Sequence, residues 1–210
     1  MFSFVALLVL GTLLGIVLVQ LFKKQPQTPA APVADLANLK VTDTRAGDVL
    51  SISGAGENYS DLDFTVDRLT RYEANSRRWF EAAGPYQERR VAVRVGGDEE
   101  VEVSLHADPR TVTLEDLGLA EEDLAEMDER QNTADSFEFD NKVWLYRLSR
   151  EVQATRSDQA APTGFYYWEF GEQNGNGMIA IRKAEGEPFT VTVYTRINAS
   201  DVTVYRGART

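Results

Sequence analysis

The feature that most limits how this chain can fold is a two-residue alternation of apolar and polar side chains, restarted many times. It runs through Gly47–Ser53 (GDVLSIS), Leu62–Tyr72 (LDFTVDRLTRY), Arg89–Val95 (RRVAVRV) and Glu100–His106 (EVEVSLH). It returns in FEFD, KVWLYRLS, FTVTVYTRI and DVTVYR toward the C-terminus. Period two places successive side chains on opposite faces of an extended chain, so each run reads as a half-buried strand. The runs are short and broken by turn residues. In VGGDEEV, Gly96-Gly97 offers the positive φ that a tight hairpin turn needs. The expected fold is mainly β (α+β), built from antiparallel strands.

One helical segment interrupts the strands. In Thr113–Arg130 (TLEDLGLAEEDLAEMDER), Thr113 and Asp116 resemble a capping box, and Leu114, Leu117, Leu124 and Met127 recur at helical spacing. Gly118 is expected to divide the run. Eight acidic side chains against Arg130 read as the solvated face of an amphipathic helix, or as an acidic docking surface.

The strands on either side of this segment match one another. Trp79 precedes Trp168 by 89 residues, VAVR precedes IAIR by 88, VEVSL precedes FTVTV by 88, and VTL precedes VTV by 90. Strands of period two also match by chance, but the near-constant offset points to two tandem, similar antiparallel β units. These cover about 48–114 and 136–205, are of small barrel or meander type, and are joined by the acidic helix over about 114–130.

Ahead of this domain, Phe2–Phe22 carries no charged side chain. As a helix it would span roughly 30 Å, the thickness of a bilayer's hydrocarbon core. Residues 1–24 therefore read as a single transmembrane anchor. Gly11 and Gly15 form a G-x-x-x-G face suited to a homodimer. Lys23 and Lys24 follow directly, which places the N-terminus outside and the domain in the cytoplasm. Pro26, Pro29 and Pro32 make residues 25–35 a semi-rigid linker. The folded domain is expected over 36–207.

Composition removes several functions. A formal charge of −11 repels a nucleic-acid backbone and attracts a basic protein, a polyamine or another cation. Without cysteine, and with His106 the lone histidine, no Cys or His metal site can form, and no cofactor is expected. Asp61, Asp63 and Asp67 are close enough in sequence to hold a hard cation, but lack the pattern of a calcium loop. Glu81 and Glu169 each follow a repeat's tryptophan and are the remaining pair for acid–base work. The simpler reading makes each an outward strand residue, and no catalytic residue is assigned.

The stretch GFYYWEFGEQNGNGMIAI (Gly164–Ile181) is the sharpest hairpin. A turn centred on Asn174-Gly175 sets Phe170 opposite Ile179, Trp168 opposite Ile181, Glu169 opposite Ala180 and Tyr167 opposite Arg182. Tyr166, Trp168 and Phe170 then form a core stripe. The other face carries Phe165, Tyr167, Glu169 and Arg182, and this is the candidate binding surface.

The order LEDLGLAEEDLAEMDE, SFEFDNKVWLYRL, FYYWEF, MIAIRK…FTVTV and SDVTVYR resembles the bacterial Domain of Unknown Function 4178 family. GDVLSI…YSDLDFTVDRLTRY…RRWFEA is similar to that family's opening half. GEPFTVTVYTRINAS departs from it where a Trp-Gly pair is expected. The resemblance implies a membrane-tethered domain encoded near polyamine aminopropyltransferases, in a setting linked to envelope or membrane stress, and it supplies no catalytic residues. The function expected is a non-enzymatic protein-binding or scaffolding domain at the membrane. A polyamine-binding module is the alternative, and a carboxylate-based enzyme a remote one.

Overall fold

The computed structural model describes residues 39–97, 99–159 and 161–207. The anchor expected over 1–24 and the linker over 25–35 lie outside them. Among the described residues no helix is long and apolar enough to cross a membrane.

The strands are β1 (Val49–Ile52), β2 (Leu62–Thr65), β3 (Arg68–Ala74), β4 (Arg77–Tyr86), β5 (Arg89–Gly96) and β6 (Glu102–His106). They continue with β7 (Ser136–Phe139), β8 (Lys142–Arg156), β9 (Thr163–Glu172), β10 (Gly177–Lys183), β11 (Thr190–Ile197) and β12 (Val202–Tyr205). One α-helix, α1 (Glu121–Arg130), lies between β6 and β7. Eight strands close into an antiparallel barrel in the order β3-β4-β5-β6-β11-β10-β9-β8, with β8 returning to pair with β3. Closure leaves the ring with no bare edge. Each half of the ring is four consecutive strands, and the halves meet where β6 pairs with β11 and β3 with β8. The long β8 also pairs through its first residues with β7.

The alternation in the sequence is used inside out. Val91, Val93 and Val95 point away from the barrel axis and pack with Ala82, Val103 and Leu105 beneath a three-stranded sheet, β12-β1-β2. That sheet contributes Leu50, Ile52, Leu62, Phe64, Val202 and Val204. Each fully buried aliphatic here is worth on the order of 1.5–3 kcal/mol relative to exposure. Gly84 of β4 lets the sheet approach, since a Cβ there would collide with the Thr65 carbonyl oxygen. On the opposite wall Trp168, Phe170, Ile179 and Ile181 pack outward against Leu117, Leu119, Leu124 and Met127. Trp168 Nε1 donates to the Leu124 carbonyl, 3.2 Å away, which ties α1 to the barrel.

Four expectations need correction. LDFTVDRLTRY is two strands in two sheets. Val66 N–H still bonds to Asp48 O beside β1, whereas Asp67 N–H bonds to Ala83 O of β4, so the chain changes partner between adjacent residues. The helix is shorter than 114–130, because Gly118 sits at φ +68° and residues 114–118 are turns. Only Gly97 of the Gly96-Gly97 pair has positive φ, +109°. The fourth concerns Trp79 and Trp168. Both are buried, but Trp79 lies with Tyr72 and Tyr167 inside the barrel and Trp168 lies outside under α1, so they are not equivalent. The two hairpins also differ in register. Glu81 faces Arg94 across β4–β5, while Glu169 faces Ala180 and Arg182 faces Tyr167 across β9–β10.

Candidate functional site

An eight-stranded ring has an interior just wide enough to be filled by side chains or to hold one small ligand. The GFYYWEFGEQNGNGMIAI hairpin forms in the register read from its turn, and its stripe of Tyr166, Trp168 and Phe170 enters the outer core. The alternate face, Phe165, Tyr167, Glu169 and Arg182, is not an exposed surface. It points into the barrel, and Tyr167 is only 1% exposed. Four expected site residues are thus brought together, as part of the lumen.

Two ion pairs cross that lumen. Glu81 on β4 pairs with Arg182 on β10, and Glu169 on β9 pairs with Arg94 on β5 at 2.9 Å. In each case the two strands stand diametrically opposite in the ring, so the contacts span the barrel. Tyr72 and Tyr194 complete the first pair. Their hydroxyls donate to Glu81 at 2.8 and 2.6 Å and accept from Arg182 at 3.0 and 3.2 Å. Tyr167 OH donates to Glu169 at 2.9 Å. The guanidiniums also lie over rings: Arg182 at 5.0 Å from Tyr72 and 5.9 Å from Phe165, Arg94 at 5.1 Å from Trp79 and 5.9 Å from Tyr167.

This environment sets the charges. Burial raises the pKa of Glu81, but Arg182, Tyr194 and Tyr72 outweigh it and hold the carboxyl below the ordinary glutamate value. Burial likewise opposes the charge on Glu169, and Arg94 and Tyr167 reverse the balance. Tyr72 and Tyr167 are pushed well up, first by burial and then by the adjacent carboxylates. Both glutamates are therefore anions at neutral pH, each fixed by its own arginine. The sequence reading that turned them outward toward solvent is corrected, because every second residue of these strands faces the barrel interior.

The remaining candidates are dispersed. His106 Nδ1 lies 2.9 Å from Val193 O, and its ring packs on Tyr194. Asp67 is held by Arg90 at 2.5 and 2.9 Å, and Asp61 accepts Gly54 N–H at 3.0 Å. Among the described residues no three acidic or histidine side chains gather as a metal site. The exposed acids of α1, including Glu121, Glu122, Glu126 and Glu129, form its solvated face. Asp128 is different and accepts from Tyr166 OH at 2.8 Å.

Above the ion pairs the barrel opens. The β3–β4, β5–β6 and β9–β10 turns surround a cavity of about 760 Å³ at this end. Trp79, Tyr167 and the Arg94–Glu169 pair belong to its wall, with Arg77, Arg147 and Arg150 around them. Gly96 makes room for the Trp79 side chain, since a Cβ there would lie 2.9 Å from Trp79 Cβ. Arg147 owes its place to a β-bulge. Tyr146 pairs with Phe170 and Leu148 with the next residue, Glu169, so Arg147 is the extra residue of β8. The bulge turns the even-numbered residues from the outer face, where Trp144 and Tyr146 are, to the inner face with Leu148 and Val152. The sequence reading missed these arginines because a bulge has no signature in a period-two pattern. It also missed the ion pairs, although Glu81 and Arg94 recur 88 residues later as Glu169 and Arg182.

The chain is thus an eight-stranded antiparallel β-barrel with charged side chains closing its lumen and a cavity over one end. Comparison with protein-family models, with curated proteins and with solved structures gives no match to it.

Proposed function

We propose that the chain is a membrane-tethered, non-enzymatic binding module that takes a small ligand in the cavity at the barrel mouth. One observation carries this reading: a cavity of about 760 Å³ with an aromatic and charged wall. That volume falls within the roughly 300–1,000 Å³ of small-molecule sites. The tether rests on the uncharged run Phe2–Phe22, and the cytoplasmic orientation on Lys23 and Lys24. The non-enzymatic reading rests on the two lumen carboxylates, which are held ionised by arginine. A general acid would need a raised pKa. A polyamine, the alternative ligand, would find Arg94 and Arg182 already over the lumen aromatics.

Kinship with the Domain of Unknown Function 4178 family belongs to the same proposal and rests on motif order. Descent of the two four-stranded halves from one unit belongs to it as well. It is supported by the shared strand order and by the recurrence of Glu81 and Arg94 at 88 residues.

Screening the full chain in neutral detergent against sets of neutral, anionic and cationic metabolites tests the ligand reading. A true ligand raises Tm and changes the emission that Trp79→Phe removes. If no set does either, the reading is wrong. Docking of a protein is the second reading, favoured by Tyr59, which stands 92% exposed at φ +62° on the β1–β2 connection. Tyr59→Ser should then abolish capture of a partner under mild crosslinking and leave ligand binding unchanged.

A further inference from the structure

Resting on the cavity reading, we infer that its ligand is a small organic anion held through a carboxylate or phosphate by Arg147 and Arg150. The chain carries 33 acidic against 22 basic residues, yet this wall gathers Arg77, Arg78, Arg94, Arg147, Arg150 and Arg196. Four of these already interact with other groups, Arg77 among them through the charge of Glu169. Arg94 pairs with Glu169, Arg196 with Glu102 and Arg78 with Glu73, at 2.9, 2.9 and 2.7 Å. Among the described residues Arg147 and Arg150 form no ion pair, and Glu172 beside them is taken by Lys142 at 3.0 Å. Glu99 and Glu100 also line the mouth, exposed on the β5–β6 turn as Arg147 is on β8, so water and salt screen all three alike, whereas Arg150 is half-buried.

The placement of these two arginines is built into the strand. Arg147 is the bulged residue, and its side chain lies across Gly171, where a Cβ would stand 2.6 Å from Arg147 Nε. Arg150 follows on the inner face opposite Tyr167. Among the described residues four buried donors lack an acceptor, Arg150 Nε and Trp79 Nε1 in this wall and Arg89 Nε and Arg182 Nε outside it. A buried donor without a partner calls for an explanation, and an acceptor bound in the cavity supplies one for the first two. Oxyanions supply acceptors only, and the guanidinium fork matches a carboxylate or phosphate edge to edge. Trp79, Tyr167, Leu148 and Met178 offer the apolar contact that an organic body would use.

The test titrates the full chain, in neutral detergent and labelled with ¹⁵N at tryptophan, with citrate in one arm and pyrophosphate in the other. The readout is the Trp79 indole N–H resonance, assigned with Trp79→Phe. A saturable shift is expected in at least one arm. It should weaken about tenfold or more in R147Q/R150Q and with rising salt, as charge-assisted hydrogen bonds do. R90Q, which removes one positive charge far from the cavity, should bind like the parent. Saturation by citrate alone assigns a carboxylate ligand, and by pyrophosphate alone a phosphate. Binding that survives R147Q/R150Q overturns the inference, as does a resonance indifferent to both anions. If neutral metabolites move that resonance and the anions do not, the cavity reading stands and the anion is wrong. If nothing moves it, both fall.

Discussion

At the scale of single residues the decisive choice is a glutamate and an arginine facing each other in a barrel lumen. Removing one partner of a buried pair leaves the other charge stranded. Glu81→Gln is therefore expected to lower unfolding free energy by about 3–5 kcal/mol in urea titrations. Replacing the whole group by Glu81→Leu, Arg182→Met, Tyr72→Phe and Tyr194→Phe should recover most of that loss, because no unpartnered charge or hydroxyl remains. A single variant as stable as the parent would mean that water reaches the pair. The same residues set an acid limb. Glu81 and Glu169 both titrate below the ordinary glutamate value of 4.5 in the folded chain. In acid the unfolded chain then binds more protons than the folded one, so stability rises with pH across this range. Their contribution is complete above about pH 4.5 and is lost as pH falls through the depressed folded values. Urea midpoints measured from pH 7 down to 2.5 should show this fall, and E81Q/E169Q should flatten it.

At the scale of elements, what could be read from the sequence was bounded by what alternation encodes. Alternation tells which residues share a face, and so the GFYYWEFGEQNGNGMIAI register follows from its turn and its apolar stripe. It does not tell which face is inside a closed ring. The apolar face of Val91, Val93 and Val95 went to the outer core, because a three-stranded sheet covers it and leaves Arg94 and Glu81 to fill the lumen. Nor does alternation announce where the phase slips, as it does at Arg147. Deleting Arg147 would return Leu148, Arg150 and Val152 to the outer face and remove Leu148 and Val152 from the inner cluster. The deletion is expected to abolish cooperative unfolding and yield aggregated protein, whereas Arg147→Ala, which keeps the bulge, should fold with near-parental Tm. Helix α1 makes a further prediction. Leu124 is fully buried beneath Trp168, so Leu124→Ala should cost about 2–5 kcal/mol and red-shift tryptophan emission as the helix lifts from the wall.

At the scale of the whole molecule, the ring is two four-stranded meanders that complete each other. The first ends on bare edges at β3 and β6, the second at β11 and at the last residues of β8, beyond the stretch that β7 covers, and each pair of edges is covered by the other half. The dependence extends to the side chains, since Glu81 needs Arg182 and Glu169 needs Arg94 from across the ring. It reaches the covering sheet too, where β1 of the first half pairs with β12 of the second. An isolated half would expose two strand edges, the apolar face meant for the other half's strand and an unpaired lumen charge. Separate fragments of residues 36–112 and 113–210 are therefore expected to aggregate when expressed alone. Expressed together they should assemble as a one-to-one complex by size-exclusion chromatography, with the acid limb of the intact chain. A soluble monomer of 36–112 that unfolds cooperatively by itself would contradict the closed ring, because that fragment carries half the strands and neither complete ion pair.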